Sequence, residues 1–182
     1  MAINEDLLIS GATGLTSFAP VGTTLPTDAS SALDAAFKDF GAISSDGLTE
    51  APSQTYQSFK PWGRTRKAKN TLTDSGKTFQ LTFWETNPDV LAVYFGLDTV
   101  PTATAGAFDF AEPDSDSPVY RAMVADIIEG TNHIRIACTK VQRTDRGNIV
   151  YGPSNLIGYQ MTFDQIGDVH RYYLLDALAD AS

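Results

Sequence analysis

The chain has 182 residues, enough for one domain with a proper core and little room for a second. Hydrophobic residues make up 42% and charged ones 19%, a composition that folds and does not fit long disordered tracts. A net charge of -9 argues against wrapping nucleic acid on the outer surface, because that affinity comes from neutralising phosphates.

No stretch approaches the ~20 apolar residues needed to cross a bilayer. The opening "MAINEDLLIS" carries acids where an export signal needs basic residues. The single cysteine, Cys138, has no internal disulfide partner, which fits folding in a reducing cytoplasm.

In chain order, the first feature is "LLISGATG", Leu7 to Gly14, an apolar run entering Gly-Ala-Thr-Gly in the manner of a dinucleotide-binding turn. Such a turn needs a helix to start at once, so that its N-terminal amides meet the pyrophosphate. Ser17 stands at the third glycine position, and Pro20, Gly22 and Pro26 break the helix that should follow. The nicotinamide reading therefore fails, and the two glycines are expected to let an extended N-terminal arm, residues 1–30, bend.

"TDASSALDAAFKDFG" holds at most a short helical turn, with Asp28 or Ser30 as cap. "GAIS" reads as a short strand and "SDG" as a turn. Leu48 to Gly63 is polar with two prolines and three aromatics, and is expected as a long functional loop. "RTRKAKNTLT" and "KTFQLTFWET", split by "DSG", read as a hairpin; Phe79, Leu81 and Phe83 alternate onto one face of the second strand. The one convincing helix is "NPDVLAVYFG", with Asn87 as N-cap, Pro88 at the first position, Asp89 in the first turn and Gly96 ending it.

Residues 99–117 read as irregular and acidic. A second hairpin follows, "VYRAMVADII", "EGTN" and "HIRIACTKVQ", whose register stays open because both faces carry apolar residues. "LIGYQMTFDQI" alternates Ile157, Tyr159, Met161 and Phe163 onto one side, and "VHRYYLLDAL" completes the set after Gly167 and Asp168. The sum is a mainly β chain, six to eight strands in hairpins with one short helix and long loops, arranged as a β-sandwich or barrel.

No catalytic constellation stands out, so no enzyme, cofactor or metal is expected. His133 and His170 lack Cys or carboxylate neighbours at ligand spacing. "EPDSDSP" lacks the ordered spacing and closing Glu of a calcium loop. Cys138 has no activating partner, and no serine sits in a Gly-x-Ser-x-Gly elbow.

The basic run "KPWGRTRKAK" holds Lys60, Arg64, Arg66, Lys67 and Lys69, five of the 13 basic residues, beside Phe59 and Trp62. A patch of one sign on a molecule otherwise of the other suits head-to-tail self-association. A solvated edge strand and a nucleic-acid platform are the alternatives.

Taken in order, "GATGLTSFAPVGTTLPTD", "FGAISSDGLTE", "WG" and "LTFWETNPDVLAVYFG" resemble segments of the major tail tube proteins of long-tailed, siphovirus-type phages, closest to those of actinobacterial hosts. The resemblance runs from about Gly11 to Gly96, and the later hairpins fit in general character. Ser45 departs from it, standing where an acidic residue is usual. Some relatives carry a C-terminal immunoglobulin-like domain, and the expectation here is a bare tube domain over residues 1–182.

The resemblance implies a tail-tube-type β-sandwich in which six copies join their sheets into a ring-shaped β-barrel around a channel. Rings then stack into a virion tail tube through which the genome leaves. It implies a tape measure protein, a distal tail protein and a tail terminator as partners, with DNA passing through the lumen without specific binding. On that reading Tyr56, Phe59 and Trp62, with Arg64 and Arg66, form the inter-ring contact, since aromatics dominate interface energetics. Asp126, Glu129 and Asp164 become candidate lumen acids, because an acidic channel repels the polymer it conducts; an ordinary solvent-facing position explains each equally well. Two other readings remain: a tube subunit of a contractile injection or secretion system, and a monomeric β-sandwich binding module.

Overall fold

The structure, a computed structural model, describes residues 5–115 and 117–179. Residues 1–4 of the expected N-terminal arm, Asp116 of the acidic turn and residues 180–182 lie outside it. Among the described residues are eight strands: β1 (Thr13–Ala19), β2 (Lys38–Asp39), β3 (Thr49–Phe59), β4 (Lys69–Phe83), β5 (Val119–Glu129), β6 (Asn132–Arg146), β7 (Tyr159–Gln165) and β8 (Val169–Leu174). Helix α1 (Pro88–Phe95) lies between β4 and β5, and a single turn of helix, α2 (Asp176–Ala179), follows β8.

All eight strands share one antiparallel sheet in the order β2-β1-β5-β6-β7-β4-β3, which branches at β6. The first part of β6, His133 to Cys138, pairs with β8. The last part, Val141 to Arg146, pairs with β7. The sheet is folded back on itself. β1 and β7 are separated by β5 and β6 in the strand order, which in a flat sheet puts them about 14 Å apart. Yet the Phe18 and Phe163 rings lie 4.9 Å apart, centroid to centroid. The space between the two layers is the main core, filled by Phe18, Phe79, Phe83, Met123, Ile136, Cys138, Met161 and Phe163.

The alternation read in β7 holds: Tyr159, Met161 and Phe163 are buried, with the intervening residues half-buried. Helix α1 forms as its caps dictate. The Asn87 side chain accepts from Val90 N at 2.8 Å, and Gly96 closes the helix with φ 70°, a left-handed conformation that favours glycine. Val90, Leu91, Val93 and Tyr94 seat it in the core.

The β5–β6 hairpin turns through Gly130 and Thr131, and that two-residue loop sets the register, pairing Glu129 with Asn132 and Asp126 with Arg135. Apolar residues occupy both faces because both faces are covered. Met123 and Ala125 enter the main core, while Ala122 and Val124 join Ala19, Phe37 and Ala137 in a second cluster roofed by Leu25 and Leu33 from the segment after β1.

Three sequence expectations are corrected, and a fourth, at most a short helical turn over residues 27–41, is met without a helix. Residues 13–19 are a central strand rather than a bent arm, and Gly14 is needed there for close approach: a Cβ would stand 3.0 Å from the Asp126 carbonyl oxygen. No helix forms over residues 27–41. The Asp28 carboxylate instead accepts from Ser30 N at 2.7 Å and Ser31 N at 2.5 Å, the capping chemistry without the helix. The stretch expected as a loop over 48–63 is strand β3 through Phe59, an edge strand that tolerates Pro52. "DSG" is no turn either: Asp74 pairs with Thr55 and Gly76 with Ser53 inside a continuous β4, and the true turn lies at Pro61–Gly63, where Arg64 N donates to Pro61 O.

Candidate assembly surface

β3 and β4 make the most distinctive feature of the surface. β4 lies between β3 and β7 from Thr78 to Gln80, and its inner end is bridged to Ile43 at Phe83; from Lys77 outward to Lys69 its sole strand partner is β3. Almost every residue of this outer ribbon is exposed. At ~3.3 Å per residue the ribbon projects about 30 Å. A two-stranded ribbon alone is marginally stable in water.

The arm brings together the five residues read from sequence as the contact set. Tyr56 and Phe59 are half exposed on β3, Trp62 is fully exposed at the tip, and Arg64 and Arg66 follow it. Leu72 on β4 adds a fourth exposed apolar side chain. Ser58 Oγ donates to Asn70 Oδ1 at 2.8 Å, and Tyr56 OH to Gln54 Oε1 at 2.8 Å, so the ribbon is internally ordered. Thr73 is the extra residue of a bulge opposite Thr55 and Tyr56, a local twist that hinders indiscriminate edge pairing. Among the described residues, none of Lys60, Arg64, Arg66, Lys67 and Lys69 has an ion-pair partner.

The three acids read as lumen candidates part company. Asp126 is buried, 7% exposed, and its carboxylate is held by Arg135, with Nε to Oδ1 at 2.6 Å and Nη2 to Oδ2 at 3.2 Å. His133 Nε2 lies 2.9 Å from the same Oδ1. Arg135 spends its remaining nitrogen on the carbonyls of Asp28 and Ser31, at 3.1 and 2.6 Å. This network pins the segment after β1 to the sheet, so Asp126 is an internal structural acid rather than a channel-facing one. Glu129 accepts from Ser10 N at 2.9 Å and from the Ser10 hydroxyl, which holds its carboxyl below the ordinary glutamate value. Asp164 is half-buried on β7, on the face opposite Phe163, opposite Thr78 of β4 and Gln142 of β6.

Two features escaped the sequence reading. One is an ion pair between Glu50 of β3 and Arg171 of β8, with Lys77 Nζ also 3.4 Å from Glu50. Nothing in local sequence joins residues so far apart. The other is an open cleft of about 770 Å³ between the start of β1 and the crossing segment 39–48. Beside it, Thr13 to Leu15 have β5 on one side and no strand on the other among the described residues, because β2 reaches only Ser17 and Phe18. Exposed Asp39, Asp46 and Glu85 line the cleft. Among the described residues no group of three or more His, Cys, Asp or Glu stands close enough to hold a metal ion.

No curated protein matches the chain. Among solved structures, a chain in the cryo-EM structure of the anti-feeding prophage (AFP) baseplate, 6-fold symmetrised, is similar, with 11% identity, a TM-score of 0.45 and coverage of 94% of this chain and 97% of that one. A family model described as phage tail tube protein matches residues 1–176. Matched over nearly its whole length, the chain belongs to the phage tail tube protein family and is a structural component of a virion tail.

Proposed function

We propose that this chain is the major tube subunit of a siphovirus-type tail, closest to those of phages with actinobacterial hosts, and that six copies close into a ring. Rings stack head to tail into a conduit for genome ejection. The observation that carries this reading is the β3–β4 arm: an exposed ribbon with three aromatics and a cluster of cations on a chain of net charge -9. Such an arm gains stability by lying on a neighbour. The edge of β8 turned away from β6, unpaired among the described residues, supports ring closure by strand pairing between copies, which removes edges from solvent. Stacking of ring on ring is a heterologous contact, which does not close and so yields a filament.

Within the assembly Tyr56, Phe59, Trp62, Arg64 and Arg66 carry the inter-ring contact, and Glu129 and Asp164 face the lumen. DNA passes through that lumen without specific binding. A tape measure protein, a distal tail protein and a tail terminator act on the same tube during assembly in the host cytoplasm.

The test is negative-stain electron microscopy of the purified protein at rising concentration, with size-exclusion chromatography alongside. Rings or tubes with an open lumen are expected. A species that stays monomeric, and that also fails to extend from a purified tail-tip complex, would overturn the reading.

A further inference from the structure

We infer that the acidic cleft beside β1 is the receptor for the arm tip of a second copy of this chain. The inference rests on the stacking role proposed above and names the surface that the arm meets. Five cations, Lys60, Arg64, Arg66, Lys67 and Lys69, crowd the arm's end without an ion-pair partner among the described residues. The cleft offers three exposed acids, Asp39, Asp46 and Glu85, likewise without an ion pair among the described residues. The fourth acid in its wall, Asp126, is already neutralised by Arg135.

Two unmet polar demands sit in the same wall. Ser44, 7% exposed, has a buried hydroxyl with no partner among the described residues. Alongside it, Thr13 to Leu15 present the open backbone edge of β1. An open strand edge next to opposite charge suits an extended basic segment, which can pair with the edge and the acids at once. The reach fits as well, since the arm carries its tip about 30 Å from the body, far enough to enter a neighbouring copy. The result is head-to-tail, with tip and cleft on different parts of the chain, so every copy both gives and receives. A polyanion such as DNA is the competing occupant of the tip, but it offers no account of the acidic cleft.

The experiment mixes two single-cysteine variants, Arg66→Cys and Asp46→Cys, with a short bis-maleimide cross-linker. Cys138 is buried and stays out of the reaction. A mixed dimer is expected, fading as salt is raised and lost when the Asp46→Cys chain also carries Asp39→Lys. Asp39 and Glu85 hold backbone amides of Gly41 and Ala42, so a cleft variant could misfold. The decisive variant is therefore the swap, in which arm reversal (Arg64→Glu, Arg66→Glu) and cleft reversal (Asp46→Lys) sit on one chain. Each reversal alone abolishes stacking and the swap restores it.

Absence of the mixed dimer while wild-type tubes still form overturns the cleft assignment and leaves the tube reading intact. If the wild type forms no tubes, the mixed dimer decides alone. Its presence upholds tip-to-cleft docking without a tube, and its absence overturns the docking.

Discussion

Glu50 and Arg171 are joined by an ion pair in which Nη2 meets both carboxylate oxygens, tying β3, at one end of the strand order, to β8, which branches from β6. The two strands are not hydrogen-bonded to one another. Their contact latches the folded sheet, with Cys138 and the rest of the core behind it.

The latch gives the fold an acid-sensitive component. The Arg171 guanidinium, bonded directly to Glu50, holds its carboxyl below the ordinary value of 4.5, and Lys77 adds to the effect. A group whose folded pKa is depressed contributes stability that is present above its unfolded pKa and lost as pH falls through the folded one. Glu50→Gln should cost about 1 kcal/mol at pH 7, the scale of a partly exposed pair. The difference from wild type should shrink at pH 3. Urea midpoints at the two pH values check this, and an equal deficit at both would remove Glu50 as the titrating group.

The Asp126–Arg135 pair behaves differently because it is buried. Arg135→Met strands the Asp126 carboxylate and frees the carbonyls of Asp28 and Ser31, a loss of about 3–5 kcal/mol. Adding Asp126→Leu should recover a large part of it, since the isolated charge is the costly element. Strict additivity of the two in a double-mutant cycle would contradict the pairing. Limited proteolysis gives a second readout, with faster cutting in residues 20–37 once Arg135 no longer pins them.

Burial pushes the Cys138 thiol up to about 12. At pH 8 a disulfide reagent should find neither thiolate nor access, so labelling should follow unfolding and accelerate with urea. One equivalent reacting in the dead time of native protein would mean that the core around β6 opens far more readily than its packing implies.

These relationships differ in how well they could be read from the sequence, and the reason is which faces are buried. β7 and the inner half of β4 have one face in the core and one outside, so their period of two is plain. In β5 and β6 both faces are covered and the alternation is lost, although the Gly130–Thr131 loop would have given the register and with it the Asp126–Arg135 pair. The arm has no buried face at all. Its hydrophobic pattern is therefore blank, and Pro52 and "DSG" read as loop and turn when both lie within strands. The cleft acids could not be foreseen, because Asp39, Asp46 and Glu85 meet only through the crossing segment.

Asp164 and Glu129 separate assembly from conduction. Asp164→Asn removes a charge from a half-buried strand face without emptying the core, so monomer stability and tube formation should stay as in wild type. Glu129→Gln keeps an acceptor for Ser10. If these acids face the lumen, phage carrying both substitutions should assemble full-length tails yet release DNA more slowly, because repulsion that keeps phosphates off the wall is reduced. Potassium efflux or dye-monitored ejection measures the rate, and wild-type kinetics would place both residues elsewhere.

The arm's aromatics separate stability from assembly in the opposite sense. Trp62 is fully exposed and Tyr56 and Phe59 half exposed, so replacing each with serine should change the monomer's unfolding free energy, read from its urea transition, by no more than about 0.5 kcal/mol. In the proposed stack the same side chains are buried anchors, and losing one such anchor typically costs about 2 kcal/mol or more of contact energy. Because every copy repeats the contact along a filament, the triple variant should remain folded, with an unchanged circular dichroism spectrum and Cys138 still protected, while failing to polymerise. Trp62→Phe should restore polymers in part by returning apolar area. Tubes of normal length and stability from the triple variant would take the arm's aromatics out of the stacking contact and leave its cations to act alone.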